Sequence, residues 1–299
     1  MKRRKLTNLR REFAPIWAVV ALTLSLSGPA AAQTFHHQRV KIKGSASTYV
    51  TGINDSGVMV ANYTDTAGTI HCVTIDGSTI TDLADPNESG TGSGKGTTCW
   101  AINNAGQVVG EYSQPTQVNG FLYSSGTYTD VVVPTTNGYT VAYGMNNSGD
   151  IVGTFTDGVG QHGFLYNGST YQTLDAPGAS FTLAIGINDG GEVSLEWGGT
   201  DGHYQSATLR GTKYTTLNVP GDIQSEAGAI NVHGEIVYAG QDAGGAWHGY
   251  LYKHGTFTQF DIAGANLIRP RGINSAGEMV GWYNPGTSTL PLGFKGRFN

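Results

Sequence analysis

The stretch Gly144-Met145-Asn146-Asn147-Ser148-Gly149-Asp150-Ile151-Val152-Gly153 decides how this chain folds. An apolar strand runs into an Asn, Asn-x-x-Gly closes a tight turn, and a β-branched strand leaves it. In such a turn the Asn bonds its own backbone and the Gly accepts positive φ. The same pattern stands at Gly52-Ile53-Asn54, Ala101-Ile102-Asn103, Gly186-Ile187-Asn188, Ala229-Ile230-Asn231 and Gly272-Ile273-Asn274, each with Gly three residues after the Asn. The anchors Asn54, Asn103, Asn146, Asn188, Asn231 and Asn274 are spaced by 49, 43, 42, 43 and 43 residues. A period of that length marks a repeat architecture.

Working outward, each repeat reads as four short strands. The strand into the Asn and the strand out of the turn, as in Gln107-Val108-Val109-Gly110, are followed by a polar loop and a third strand. That third strand is Gly120-Phe121-Leu122-Tyr123, Gly163-Phe164-Leu165-Tyr166 or Gly249-Tyr250-Leu251-Tyr252. A Gly-containing turn then leads to a fourth, such as Tyr171-Gln172-Thr173-Leu174-Asp175. Four strands in about 43 residues make one blade of a β-propeller. The sixth repeat ends on its third strand, and Gln38 to Gly44 precedes Asn54 at the offset of a fourth. The expected fold is therefore all-β, a six-bladed propeller over residues 33–299, with the N-terminal strand completing the last blade and leaving no open edge.

Composition agrees. The chain has 299 residues, 45 of them Gly and 10 Pro, and 13% are charged, about half the globular norm. Disordered, coiled-coil and collagen classes are excluded. Residues 1–32 read as an export signal: a basic segment (Lys2, Arg3, Arg4, Lys5, Arg10, Arg11), an apolar run from Ile16 to about Leu26, and Ala30-Ala31-Ala32 before Gln33. The apolar run is too short to span a bilayer as a helix, so no membrane span is expected after cleavage. The two Arg pairs leave the export route open. Setting aside those six basic residues and Glu12 takes the net charge from −5 to about −10. An acidic chain with no basic stripe disfavours nucleic-acid and anionic-lipid partners. The expected location is secreted or periplasmic, and the expected state a monomer.

The third strands begin His71-Cys72-Val73, Asn119-Gly120-Phe121, His162-Gly163-Phe164, His248-Gly249-Tyr250 and Leu292-Gly293-Phe294. With the Gly-Ile-Asn-x-x-Gly turns, these resemble the bacterial extracellular HAF-repeat family over essentially the whole chain after residue 32. Gly or Cys replaces the family's Ala, and the fourth repeat departs further, reading Gln205-Ser206-Ala207. The resemblance implies export and a propeller-like build; it lends no catalytic residues.

Function should lie where the repeats differ, on the loop face opposite the Asn turns. Just before the anchors, nearest the axis, stand Tyr49, Thr51, Trp100, Tyr143, Ile185, Glu226, Arg269 and Arg271, with Trp247, Tyr204 and His203 in nearby loops. Aromatics beside a carboxylate and two guanidiniums suit a sugar or an anionic ligand; an interblade Glu226–Arg269 or Glu226–Arg271 ion pair is the structural alternative. The expected activity is non-catalytic binding of a glycan or another envelope component. A carbohydrate hydrolase or lyase using Glu226, Glu196 or Glu111 is the alternative, and a structural or adhesive surface protein is a third. His71, His162 and His248 occupy equivalent positions in different blades, too far apart to converge within about 2 Å of one ion; they and Asp65, Asp157 and Asp242 are read as scaffold, with no metal or cofactor expected. Asn87 to Gly96 imitates a phosphate loop but lacks its spacing and following helix, and is read as a flap. A Cys72–Cys99 bridge is left open: the two belong to strands that are not hydrogen-bonded neighbours, and their Cα atoms must lie within about 7 Å.

Overall fold

The computed structural model describes residues 33–89, 95–286, 288 and 290–299. The proposed export signal and the centre of the Asn87–Gly96 flap lie outside the described residues. After β1 (Phe35–Val40) come six repeats of four strands, the last of three. The first is β2 (Ser47–Ile53), β3 (Met59–Thr64), β4 (Ile70–Asp76) and β5 (Thr79–Asp82); the second is β6 (Thr97–Ile102), β7 (Val108–Ser113), β8 (Val118–Ser124) and β9 (Thr127–Val131). The third is β10 (Tyr139–Met145), β11 (Ile151–Thr156), β12 (Gln161–Tyr166) and β13 (Tyr171–Leu174); the fourth is β14 (Thr182–Ile187), β15 (Val193–Gly198), β16 (Tyr204–Arg210) and β17 (Lys213–Leu217). The fifth is β18 (Asp222–Ile230), β19 (Ile236–Asp242), β20 (Trp247–Lys253) and β21 (Thr256–Phe260), and the sixth is β22 (Ala265–Ile273), β23 (Met279–Pro285) and β24 (Leu292–Phe298).

Each repeat is an antiparallel meander, as the tight turns require, and the whole is an all-β propeller. Strand β1 pairs antiparallel with β24 from Phe35↔Phe298 to Val40↔Gly293, so the last sheet runs β1-β24-β23-β22. The hydrogen bonding departs from six separate four-stranded sheets. Four sheets stand alone, whereas the second and third repeats share one sheet of eight strands. The join is a single parallel pairing, Tyr139↔Val118, where Val118 N–H donates to the Gly138 carbonyl at 2.9 Å. Gly138, at φ +106°, lets the connecting backbone come that close.

The Gly-Ile-Asn motif is explained around the axis. Its first residue is small because the first strands touch there: a Cβ on Gly144 would lie 2.6 Å from the Ile185 carbonyl oxygen, and one on Gly272 3.0 Å from Gly52 Cα. Its second residue forms an apolar collar of Ile53, Ile102, Met145, Ile187, Ile230 and Ile273. Its third closes a ring, since each Asn amide donates to the next Asn's backbone carbonyl. The six distances run from 3.0 to 3.4 Å, ending with Asn274 Nδ2 to the Asn54 carbonyl at 3.2 Å. Each Asn Oδ1 meanwhile accepts two backbone N–H groups of its own turn, as Asn146 does from Ser148 and Asp150. All six are buried, which is consistent only with this full satisfaction.

Cores lie between neighbouring repeats. Third-strand Phe121, Phe164 and Phe294 are fully buried; Val73 takes the corresponding place in the first repeat, with Cys72 beside it where the others carry Gly120, Gly163 and Gly293. There the bridge left open by the sequence is formed: Cys72 and Cys99 are disulfide-bonded with Cα atoms 5.4 Å apart. β4 and β6 share no ladder, but Ile70 pairs parallel with Gly96 just ahead of β6, and this bridge together with the facing sheets brings the two side chains together. The Asn62 amide brackets the same spot, accepting from Cys99 N–H and donating to its carbonyl, both at 2.8 Å.

Candidate functional site

Every first strand slips register just before its Gly-Ile-Asn motif, between Val50/Gly52, Cys99/Ala101, Ala142/Gly144, Ala184/Gly186, Ala227/Ile230 and Pro270/Gly272. A β-bulge re-aims the extra residue. In five repeats that residue is Thr51, Trp100, Tyr143, Ile185 or Arg271, and all five line one axial cavity with about 280 Å³ of room, above the apolar collar. Glu196, Tyr204, Glu226 and Arg269 complete its polar wall.

The wall is asymmetric. Glu226, 5% exposed at its side chain, binds both arginines through Oε2: Arg269 Nη1 directly, and Arg271 Nη2 at 3.1 Å. The interblade ion pair therefore forms, with both guanidiniums still at the cavity. Arg269 is held between aromatic faces, 4.7 Å from the Trp247 ring centroid and 5.6 Å from that of Trp282. Opposite, Trp100 meets Tyr143 edge-on at 5.1 Å and donates its indole N–H to Glu111 Oε2. Burial pushes the Glu111 carboxyl up to about 8 against the lowering hydrogen bonds from Trp100 and Thr98. Glu196 is raised to about 8 as well, by burial and then by neighbouring Glu226, with Arg271 and Arg269 opposing. Both carboxyls are thus largely protonated at neutral pH.

Of the residues singled out in the sequence, Trp100, Tyr143, Glu196, Glu226, Arg269 and Arg271 come together at the cavity. Trp247 joins through Arg269, Glu111 through Trp100, and Tyr49 stands behind them, edge-on to Trp282 at 5.3 Å. Trp282 escaped the sequence reading. It occupies the second-strand position of Glu111 and Glu196, and that equivalence was the signal available. The third-strand histidines are each engaged by two aspartates: His162 with Asp157 at 3.4 Å and Asp175 at 3.0 Å, His248 with Asp242 at 3.4 Å and Asp261 at 2.9 Å, His71 with Asp65 at 3.1 Å and Asp82 at 4.0 Å. The loop aspartates also cap their own turns, Asp65 Oδ1 accepting from Ala67 and Thr69 N–H. Around the flap, the described Glu88 carboxylate accepts the Thr97 hydroxyl at 2.7 Å.

No family model matches the chain. Nor does any curated protein sequence match it. Solved structures do. The Aleuria aurantia lectin in complex with Fucalpha1-6GlcNAc aligns with a TM-score of 0.52 at 12% identity, over 86% of this chain and 95% of the lectin. Another structure of that lectin is described as a six-bladed β-propeller fold with a novel fucose recognition mode. A mutant of AofleA from Arthrobotrys oligospora aligns at 0.56 and 12% identity, over 88% and 86% of the two chains. Trypanosoma rangeli sialidase aligns at 0.51 and 13% identity, over 87% of this chain but 59% of the sialidase. The shared property is the propeller fold, which hosts binding proteins and enzymes alike.

Proposed function

We propose that this protein is an exported, six-bladed propeller of the HAF-repeat type that binds a saccharide, without turnover, in its axial cavity. The eight-stranded sheet then counts as two blades held together by one residue pair, a count favoured by the six-membered Asn ring. Export rests on the basic and apolar pattern of residues 1–32. Saccharide binding rests on one observation above all: Trp100 and Tyr143 face a carboxylate and two guanidiniums across a single cavity. Its size is near the lower end of small-ligand pockets, about 300 Å³. Aromatic faces stack on sugar C–H groups while charged groups bind hydroxyls.

A glycan array followed by titration calorimetry tests this. Binding should weaken by more than about tenfold in the double variant Trp100→Ala, Arg271→Ala; undiminished binding would place the site elsewhere. A second reading, hydrolysis or lyase chemistry, is favoured by the protonated Glu196 and Glu111, since a carboxyl neutral at pH 7 can act as a general acid. Reducing-end release that disappears in Glu196→Gln or Glu226→Gln would favour it over binding alone.

A further inference from the structure

We propose that the saccharide taken by the axial cavity is acidic, its single carboxylate held by the guanidinium edges of Arg269 and Arg271 that Glu226 leaves free. This rests on the reading of the cavity as a saccharide site and adds the charge of the ligand.

The argument is one of charge and valence. Two guanidiniums, with side chains 21% and 18% exposed, share one carboxylate, and both bonds fall on the same oxygen, Glu226 Oε2. A guanidinium presents five N–H donors, and a carboxylate pairs with it best along a two-nitrogen edge. Neither arginine has such an edge filled by Glu226, and Nε of both is buried with no partner among the described residues. Arg269 is also fixed between Trp247 and Trp282, so it is not free to seek another acceptor. The remaining carboxyls at the wall do not supply the missing charge at neutral pH. Glu196, raised by burial and then by Glu226, with Arg271 and Arg269 opposing and Tyr143 and Tyr238 within electrostatic reach, is largely protonated, and so is Glu111. The half-buried cluster therefore carries one surplus positive charge. Partly buried charge is tolerated where it is paired, and the donors left open match a planar monoanion. A singly charged sugar acid fits both the charge and the room of about 280 Å³.

The position of Glu196 makes the preference dependent on pH. Once ionised, it competes with the ligand for the same guanidiniums, so affinity for an acidic sugar falls as pH rises through the raised Glu196 range.

The test is calorimetry of the full chain with two oligosaccharides that differ only at the terminal sugar, glucuronic acid in one and glucose in the other. At about pH 6.5 the acidic one should bind roughly tenfold tighter or better, the yield expected of one charge-assisted pair. Arg271→Met keeps Glu226 paired to Arg269 and should erase that margin. Glu196→Gln should retain the margin and remove its decline between about pH 7 and about pH 9. Equal affinity for the two sugars overturns the acidic assignment while leaving saccharide binding intact. Binding of neither overturns both. A margin unchanged in Arg271→Met, in a variant with native circular dichroism, overturns the assignment to these arginines.

Discussion

The two ends of the axial channel are built by the same six strands and behave in opposite ways. At the turn end, the third residue of each Gly-Ile-Asn motif is identical in every repeat, and a closed ring of amide-to-carbonyl bonds results. Three residues upstream, the bulged position is Thr51, Trp100, Tyr143, Ile185 or Arg271, with Gly228 in the fifth repeat, and a lopsided polar cavity results. The backbone periodicity is common to both. What differs is whether the side chain serves its neighbouring repeat or faces the lumen. Identity is required only where six copies must each satisfy the next, and freedom begins one turn of chain away.

That contrast can be broken most forcefully at the ring. Asn146→Ala removes bonds to Ser148 N–H, Asp150 N–H, the Asp150 carboxylate and the Asn188 carbonyl. At about 1 kcal/mol net apiece it should cost about 3 to 4 kcal/mol. A fall in melting temperature of roughly 10 °C is expected by calorimetry; a change within error would deny the ring its role. A smaller gain should come from repairing an outer ring. Backbone N–H of Asp55, Asn104, Asn147 and Ser275 donates to the side chain at the equivalent position of Asn104, Asn147, Asp189 and Asp55 respectively. Val232, 50% exposed, interrupts this series. Val232→Asn offers Asp189 N–H the missing acceptor and should raise stability by about 0.5 to 1 kcal/mol in urea unfolding.

The smallest effect concerns the third-strand histidines. Burial alone would lower the His162 pKa, but Asp175 and Asp157 raise it above its ordinary value, and His248 behaves alike with Asp261 and Asp242. A raised folded-state pKa stabilises fully below the unfolded value, near 6.5, and that contribution is lost as pH rises through the folded value. The stability gap between the parent and His162→Gln should therefore shrink on going from about pH 5.5 to about pH 8. Because Asp175 is well exposed, the change should be modest. A gap that widens with pH would reverse the assigned sign.

The fold was legible because the Asn-x-x-Gly turn, the period and the β-branched strands are local patterns. Much of the cavity wall was legible for a related reason, since Trp100, Tyr143, Glu226, Arg269 and Arg271 stand at fixed offsets from an anchor. Trp282 was not, because it reaches the arginine from a neighbouring strand. The disulfide depended on sheets facing each other across a packing layer, which strand adjacency does not encode. The single backbone pairing that fuses the second and third repeats depended on a loop's approach, and the protonation of Glu111 and Glu196 on burial that follows only from closure of the whole ring.

Strand β1 also sets an order of assembly. Its partner β24 lies at the far end of the chain, and the contact between Asn299 and His36 spans 263 residues. During vectorial synthesis β1 emerges long before the strand it must join. Five repeats can settle their local hairpins in the meantime, but the sixth sheet stays unfinished until β24 is released. Closing so large a loop is entropically costly and slow. Closing the ring is thus a ligation without a covalent bond, and any state in which it is open leaves Phe35 and the edge of β24 available to a chaperone or to a second chain.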